Sequence, residues 1–155
     1  MKNLGLLFLL MILFTNCDEK QMKEEIDNNL KKEVLYAYNG MYNTYSNGTD
    51  EFFNYYEIDF VRVDTKGNLG IGVDQPKKDW NDFLKSYSMQ LISFDPPKLV
   101  IGSDQVVTIN TYEELFIKKD TKDSTYNKGV YVSVWRKQLD NTWKISMDTW
   151  HAGLE

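Results

Sequence analysis

The chain has 155 residues, with 18 Lys and Arg against 23 Asp and Glu for a formal charge of −5, and 14% of it is aromatic. This length suits one domain with a core of its own. The acidic balance argues against nucleic acid, which needs a basic face to meet phosphate. One cysteine rules out an intramolecular disulfide. One histidine beside that cysteine leaves neither a zinc set of ordinary composition nor the parts of a Ser-His-Asp or Cys-His arrangement.

The chain opens with MKNLGLLFLLMILFTNC, a single basic residue followed by an apolar run from Leu4 to Phe14. Such a run is too short for a hydrocarbon core, which takes roughly 20 residues, and has the form of a secretory signal peptide. Cys17 stands where cleavage is expected, and the segment resembles a bacterial lipobox, with Phe14 for the commoner leucine and Asn16 for the commoner small residue. The resemblance implies a signal peptide over 1–16, lipidation of Cys17 and a charged tether over 17–23. It also implies a lipid anchor in the envelope of a diderm bacterium, in the outer membrane rather than the inner. An ordinary signal peptide with an incidental thiol is the alternative. The acidic chain offers no polybasic attraction to a membrane, so the anchor is the lipid itself.

From about residue 24 the apolar spacing predicts a long helix, with Ile26, Leu30, Val34, Tyr38, Met41, Tyr42 and Tyr45 along one stripe. Gly40 inside it suggests a bend or a close contact. Asn47-Gly48 marks its end, and a short helix through EFFNYY follows. The stretch YEIDFVRVD alternates as a strand, with Ile58, Phe60 and Arg62 on one side; DTKGN turns the chain, and LGIGV returns it. The segment PKKDWNDFLKSYS puts Trp80, Phe83, Leu84 and Tyr87 on one helical face. After PP at 96–97, KLVIG, QVVTINTYEELFIKKD, KGVYVSVWRKQL and NTWKISMDTWHA read as strands between turns. Helices segregated from consecutive antiparallel strands make the fold class α+β.

The closing stretch GVYVSVWRKQLDNTWKISMDTWHAG resembles the last hairpin of the nuclear transport factor 2-like superfamily, in particular its SnoaL-like and uncharacterised stand-alone branches. The segments SNGTDEFFNYY and VDTKGN fall where that fold expects them, and the likeness spans about 24–152. It implies a cone, a strongly curved antiparallel sheet around a long N-terminal helix (a cystatin-like half-barrel), with a pocket at one end. Many such domains form homodimers across the outer sheet face. The superfamily holds enzymes, adaptors and pockets without known chemistry, so the fold does not name a function.

Alternation along the last strand separates Trp143, Ile145, Met147, Thr149 and His151 from Lys144, Ser146, Asp148 and Trp150. The first set is the more apolar and is expected on the concave side, with His151 at the pocket rim and Asp148 on the opposite face. With the cone that the resemblance implies, Tyr38, Tyr42, Trp80, Trp135, Met147, Thr149 and His151 are the expected pocket lining. VRVDTKG resembles the ketosteroid isomerase segment that carries an aspartate general base. That likeness implies Asp64 as the base in a dry pocket, with Tyr42 or His151 assisting. Trp135 stands where that family has its second acid, a departure that weighs against isomerase activity. Gly67, Gly70 and Gly72 read as hairpin flexibility rather than a phosphate loop, and DTKDS at 120–124 as a turn rather than a calcium loop. Asp59, Glu113 and Glu114 read as solvent-facing strand carboxylates. No metal or cofactor motif emerges. The expected function is a membrane-anchored binding or accessory domain for a small apolar or aromatic molecule. A proton-transfer enzyme using Asp64 and a dimeric interaction protein are the alternatives.

Overall fold

The computed structural model describes residues 4–153, with side chains from residue 21 onward. The order is a long helix α1 (Leu4–Ser46), a 3-10 turn (Glu51–Tyr55), strands β1 (Tyr56–Val63) and β2 (Leu69–Ile71), and helix α2 (Asp74–Ser86). Strands β3 (Tyr87–Phe94), β4 (Lys98–Ile101), β5 (Gln105–Lys118), β6 (Ser124–Lys137) and β7 (Trp143–Ala152) follow. As backbone, α1 runs unbroken through 17–23, where the sequence suggests a tether. The side chain of Cys17, the expected lipidation site, lies outside the described residues. Among the described residues no helix is long and apolar enough to cross a membrane.

Seven strands form one sheet in the order β2-β1-β7-β6-β5-β3, with β4 also paired to β5. Every pairing is antiparallel except that of β1 with β7. The first ribbon thus joins the sheet by lying alongside the last strand. The sheet is curved and does not close, and α1 lies against its concave side. Val34, Ala37, Tyr38 and Met41 of α1 pack there with Val106, Trp135, Trp143 and Ile145. Trp135 is fully buried, and its indole N–H donates to the Thr108 hydroxyl at 3.0 Å. An aromatic of this size buries roughly 150–250 Å², worth about 4–6 kcal/mol at about 25 cal/mol per Å². Outside the sheet, the Trp143 N–H reaches Glu33 of α1 at 2.9 Å, and Lys137 pairs with the same carboxylate at 2.7 Å.

Three elements differ from the sequence-based expectation. Residues 87–94 form β3, which had no strand assigned to it. Its alternation is carried by Tyr87, Met89 and Leu91, and a bulge between Leu91 and Ser93 breaks the period before Ile92 and Phe94. Strand β6 begins at Ser124, inside the stretch assigned to a turn. A tight reversal, with Lys122 in the left-handed region (φ 65°), lets pairing start at Ile117–Ser124. In β1 the register shifts between Tyr56 and Val61, so Ile58 is 80% exposed while Phe60 is buried; the two do not share a side.

Gly40 is a close contact, since an added Cβ would meet the Tyr55 hydroxyl. Gly129 is tighter, because a Cβ there would run into the backbone carbonyl of His151 on the paired strand. Gly129→Ala is therefore expected to lower stability by about 1–3 kcal/mol through overpacking against backbone that cannot yield. A chemical-denaturation midpoint equal to wild type would contradict this close approach.

Candidate functional site

The decisive local feature is one extra residue in β7. Val134 pairs with Met147, yet the next residue, Trp135, pairs with Ile145, so Ser146 has no partner of its own across the ladder. A bulge of this kind shifts the alternation by one position. Trp143 and Ile145 face the core before it, and Asp148 and Trp150 face the concave side after it. Met147, Thr149 and His151 are turned to the outer face. The expected inward set is thus correct up to Ile145 and inverted beyond. His151 is exposed and sits in register with Val130 on the outer face.

Asp148 arrives inside the cone fully buried. On the neighbouring parallel strand Arg62 lies directly beside it in register. The guanidinium grips the carboxylate at two points, with Nε to Oδ1 at 2.8 Å and Nη2 to Oδ2 at 2.6 Å. The Tyr131 hydroxyl also donates to Asp148 at 2.7 Å and accepts from Arg62 Nη2 at 3.2 Å, and the Tyr56 hydroxyl lies 3.3 Å from it. Trp150 and Phe60 stack around the cation at 5.1 and 5.3 Å. Burial, with Asp148 alongside, holds the Tyr56 and Tyr131 phenols well above their ordinary range. Such phenols are hydrogen-bond donors and not bases at neutral pH.

Arg62, Tyr131 and Trp150 of this group form one wall of a cavity of about 750 Å³, with Asp148 and Phe60 behind them. Met41, Tyr42 and Tyr45 of α1 and Phe52, Phe53 and Tyr56 line a second side. Trp80 and Phe83 of α2 cover a third, and Tyr112, Glu114 and Phe116 of β5 form the floor. The rim is the β1–β2 turn with Asp64, Lys66 and Asn68. The volume suits an ordinary small molecule. The rings hold one another, with Tyr45 stacked on Trp80 at 5.4 Å and Trp80 on Phe83 at 5.6 Å. The Trp80 N–H is fixed to the Thr49 carbonyl at 3.0 Å.

Of the expected lining residues, Tyr42 and Trp80 border this cavity. Tyr38 and Trp135 belong to the packed core, and Met147, Thr149 and His151 are on the far face of the sheet. Asp64 borders the rim, but its carboxylate is taken up by its own turn. It accepts from the backbone N–H groups of Lys66 and Asn68 and from the Asn68 side chain, all at 2.8 Å. Those bonds, led by the Asn68 side chain, hold it below the usual carboxylate range. A base for carbon acids needs the opposite shift. The Tyr42 hydroxyl accepts from Asn110 at 2.8 Å, and burial pushes its pKa up to about 12. Asp64, Tyr42 and His151 are not assembled into one acid–base set, because His151 lies across the sheet.

Sequence reasoning missed Arg62, Asp148 and Glu114 as site residues. Glu114 is 5% exposed and inward-facing rather than solvent-facing, which corrects the expectation. Its signal was present: Val106, Thr108, Asn110, Tyr112 and Phe116 alternate along β5, and Glu114 shares their parity.

No family model and no curated protein matches the sequence. Solved structures do. A ketosteroid isomerase-like protein from Erwinia carotovora atroseptica superposes with a TM-score of 0.68 at 12% identity, over 80% of this chain and 96% of that one. The fold is that of the nuclear transport factor 2-like proteins. A member of that superfamily from Salmonella enterica gives 0.68 at 13% identity over 83% and 94% of the two chains. A CaMKII hub from S. rosetta gives 0.62 at 14% over 79% and 95%. Identities this low carry the fold and not the chemistry.

Tyr131→Phe removes the one neutral hydrogen bond to the buried Asp148. It is expected to lower stability by about 1.5–3 kcal/mol, as for bonds to charged groups. An unchanged unfolding free energy would show that Asp148 does not depend on this hydroxyl.

Proposed function

We propose that this is a lipid-anchored domain that binds a small molecule with a substantial aromatic or apolar part. The observation that carries the reading is the cavity of about 750 Å³, walled by aromatic rings that are braced by one another rather than collapsed inward. The chemistry of the walls fits binding better than proton transfer. Arg62, Asp148, Tyr56 and Tyr131 satisfy one another, Asp64 is occupied by its turn, and the raised carboxylate, Glu114, is already bonded by Tyr45 and Asn127. Arg62 Nη1 is a polar handle on the cavity, since it makes no hydrogen bond within the described residues and Arg62 borders the cavity. The lipobox-like segment ending at Cys17 supports attachment to an envelope membrane, with the domain presented to the aqueous side.

The test is titration with a neutral fluorescent aromatic, N-phenyl-1-naphthylamine. Its emission is expected to rise on saturable binding, and Trp80→Ala should weaken that binding on the order of tenfold through lost ring contact. Equal titration curves for the two proteins, or no saturable binding to wild type, would contradict the reading.

A second reading, pairing of two copies, is favoured by the outer sheet face. The inverted parity of β7 places Met147 and Thr149 there beside Val61, Val63, Val132 and Val134, half-buried or exposed and contiguous by register. The face expected to pair through Lys144, Ser146, Asp148 and Trp150 is instead valine-rich. An apolar sheet face of this extent fits a homodimer interface, and dimerisation is compatible with ligand binding. Val132→Glu is expected to shift sedimentation from dimer to monomer; a wild-type protein that is monomeric at high concentration would contradict pairing.

A further inference from the structure

Two carboxylates are buried among the described residues, and only one has a cation. Asp148 has Arg62. Glu114 has two neutral donors, the Tyr45 hydroxyl at 2.6 Å and the Asn127 amide at 2.7 Å. No Lys or Arg among the described residues pairs with it. Each carboxylate oxygen can accept about two hydrogen bonds, so each keeps an unused acceptor site. An ionised carboxylate withdrawn from water without a counter-charge is strongly disfavoured. Burial accordingly raises the Glu114 pKa, against the lowering pull of Tyr45 and Asn127.

The rings around Glu114 share a chemical preference with it. Tyr112 and Phe116 flank it on the same face of β5 and border the same cavity. Tyr45 is bonded to it, Trp80 stacks on Tyr45, and Phe83 meets Phe116 edge-on at 5.0 Å. Aromatic faces are electron-rich and attract a cation held within about 6 Å, most strongly when water is excluded. A bare metal ion is a poor occupant, because hard cations take six or more oxygens. Among the described residues no group of three or more His, Cys, Asp or Glu side chains could hold a metal. An alkylated ammonium suits both features, since its charge meets the carboxylate and its carbon substituents meet the rings.

We propose that the Glu114 end of the cavity binds the ammonium group of an organic cation, with the surrounding aromatic rings enclosing its alkyl substituents. The inference rests on the ligand-binding reading and names the class of ligand. Ionised Glu114 is the counter-charge, and Tyr45 and Asn127 orient its carboxylate.

The experiment compares benzyltrimethylammonium with its neutral carbon isostere neopentylbenzene, titrated against the full-length protein at about pH 8 and followed by tryptophan fluorescence. The ammonium is expected to bind at least roughly tenfold more tightly, and Glu114→Gln to bring the ratio of the two affinities close to one. The wild type supplies an independent check. The carboxylate form prevails above the raised Glu114 pKa, so affinity for the ammonium must fall as the pH is lowered toward 4.5, the ordinary glutamate value, while affinity for the isostere holds. The other titratable groups facing Glu114 are the Tyr42, Tyr45 and Tyr112 phenols, all raised and neutral across this range; Asp64 of the rim, held below the usual carboxylate range by its turn, stays ionised throughout, and Asp79 of α2 lines the same cavity. Asp79→Asn, which should leave the pH response in place, separates Asp79 from Glu114. Equal affinity for the two probes, or a preference that survives in Glu114→Gln, overturns the inference and leaves the ligand-binding reading intact. Binding of neither probe overturns both.

Discussion

The concave face of this protein is organised by a constraint on β7, the unpaired residue at Ser146. Without it, Asp148 would lie on the outside of the sheet in water. With it, a carboxylate is carried into the cone and must be met there by a cation, and the position directly beside it on the adjacent strand is Arg62. Buried ion pairs of this kind are often matched in stability by apolar replacements. The pair's effect here is therefore one of arrangement. It forms only when β1 runs parallel to β7 in this register, and that register holds the β1–β2 ribbon where it becomes the cavity rim.

The same shift divides the cone into two regions. Before the bulge, Trp143 and Ile145 join Trp135, Val106 and the α1 stripe in a dry, filled core. After it, the inward positions carry Asp148 and Trp150, opposite Tyr131, Tyr112 and Glu114 of the longer hairpin. Polar groups at these positions need partners, and rings such as Tyr56, Tyr131 and Tyr45 supply hydroxyls at fixed reach without filling the space between them. An open cavity bordered by satisfied polar groups follows from that composition. Among the buried carboxylates the exception is Glu114, which has donors but no counter-charge.

The α+β class, the long helix, the two-stranded ribbon, the closing hairpin and the cone were legible from apolar periodicity and turn residues. Strand β3 was not, because it follows α2 directly and its bulge breaks the alternation after Leu91. The site was only partly legible. Tyr42 and Trp80 could be placed at the cavity from their helical faces, α1 and α2 carrying no bulge of the kind found in β7, although the same stripe placed Tyr38 there and it lies in the core. His151, Met147 and Thr149 could not, since strand parity is inverted by one extra residue and nothing in KISMDTWHA announces where that residue falls. Asp64 could be placed at the rim, but its three hydrogen bonds within DTKGN, which determine its basicity, are set by the turn geometry. The Arg62–Asp148 pair joins residues far apart in sequence and required the parallel register to be known.

The cavity wall depends most directly on Arg62 and Asp148 meeting inside the cone. A double-mutant cycle, with Arg62→Met and Asp148→Asn measured singly and together by reversible denaturation, tests that contact without a ligand. The expected coupling energy is on the order of 1–3 kcal/mol, as for residues in direct hydrogen-bonded contact. Additive effects, as for side chains on opposite faces of the sheet, would contradict the bulge, the placement of Asp148 and the cavity wall built on it.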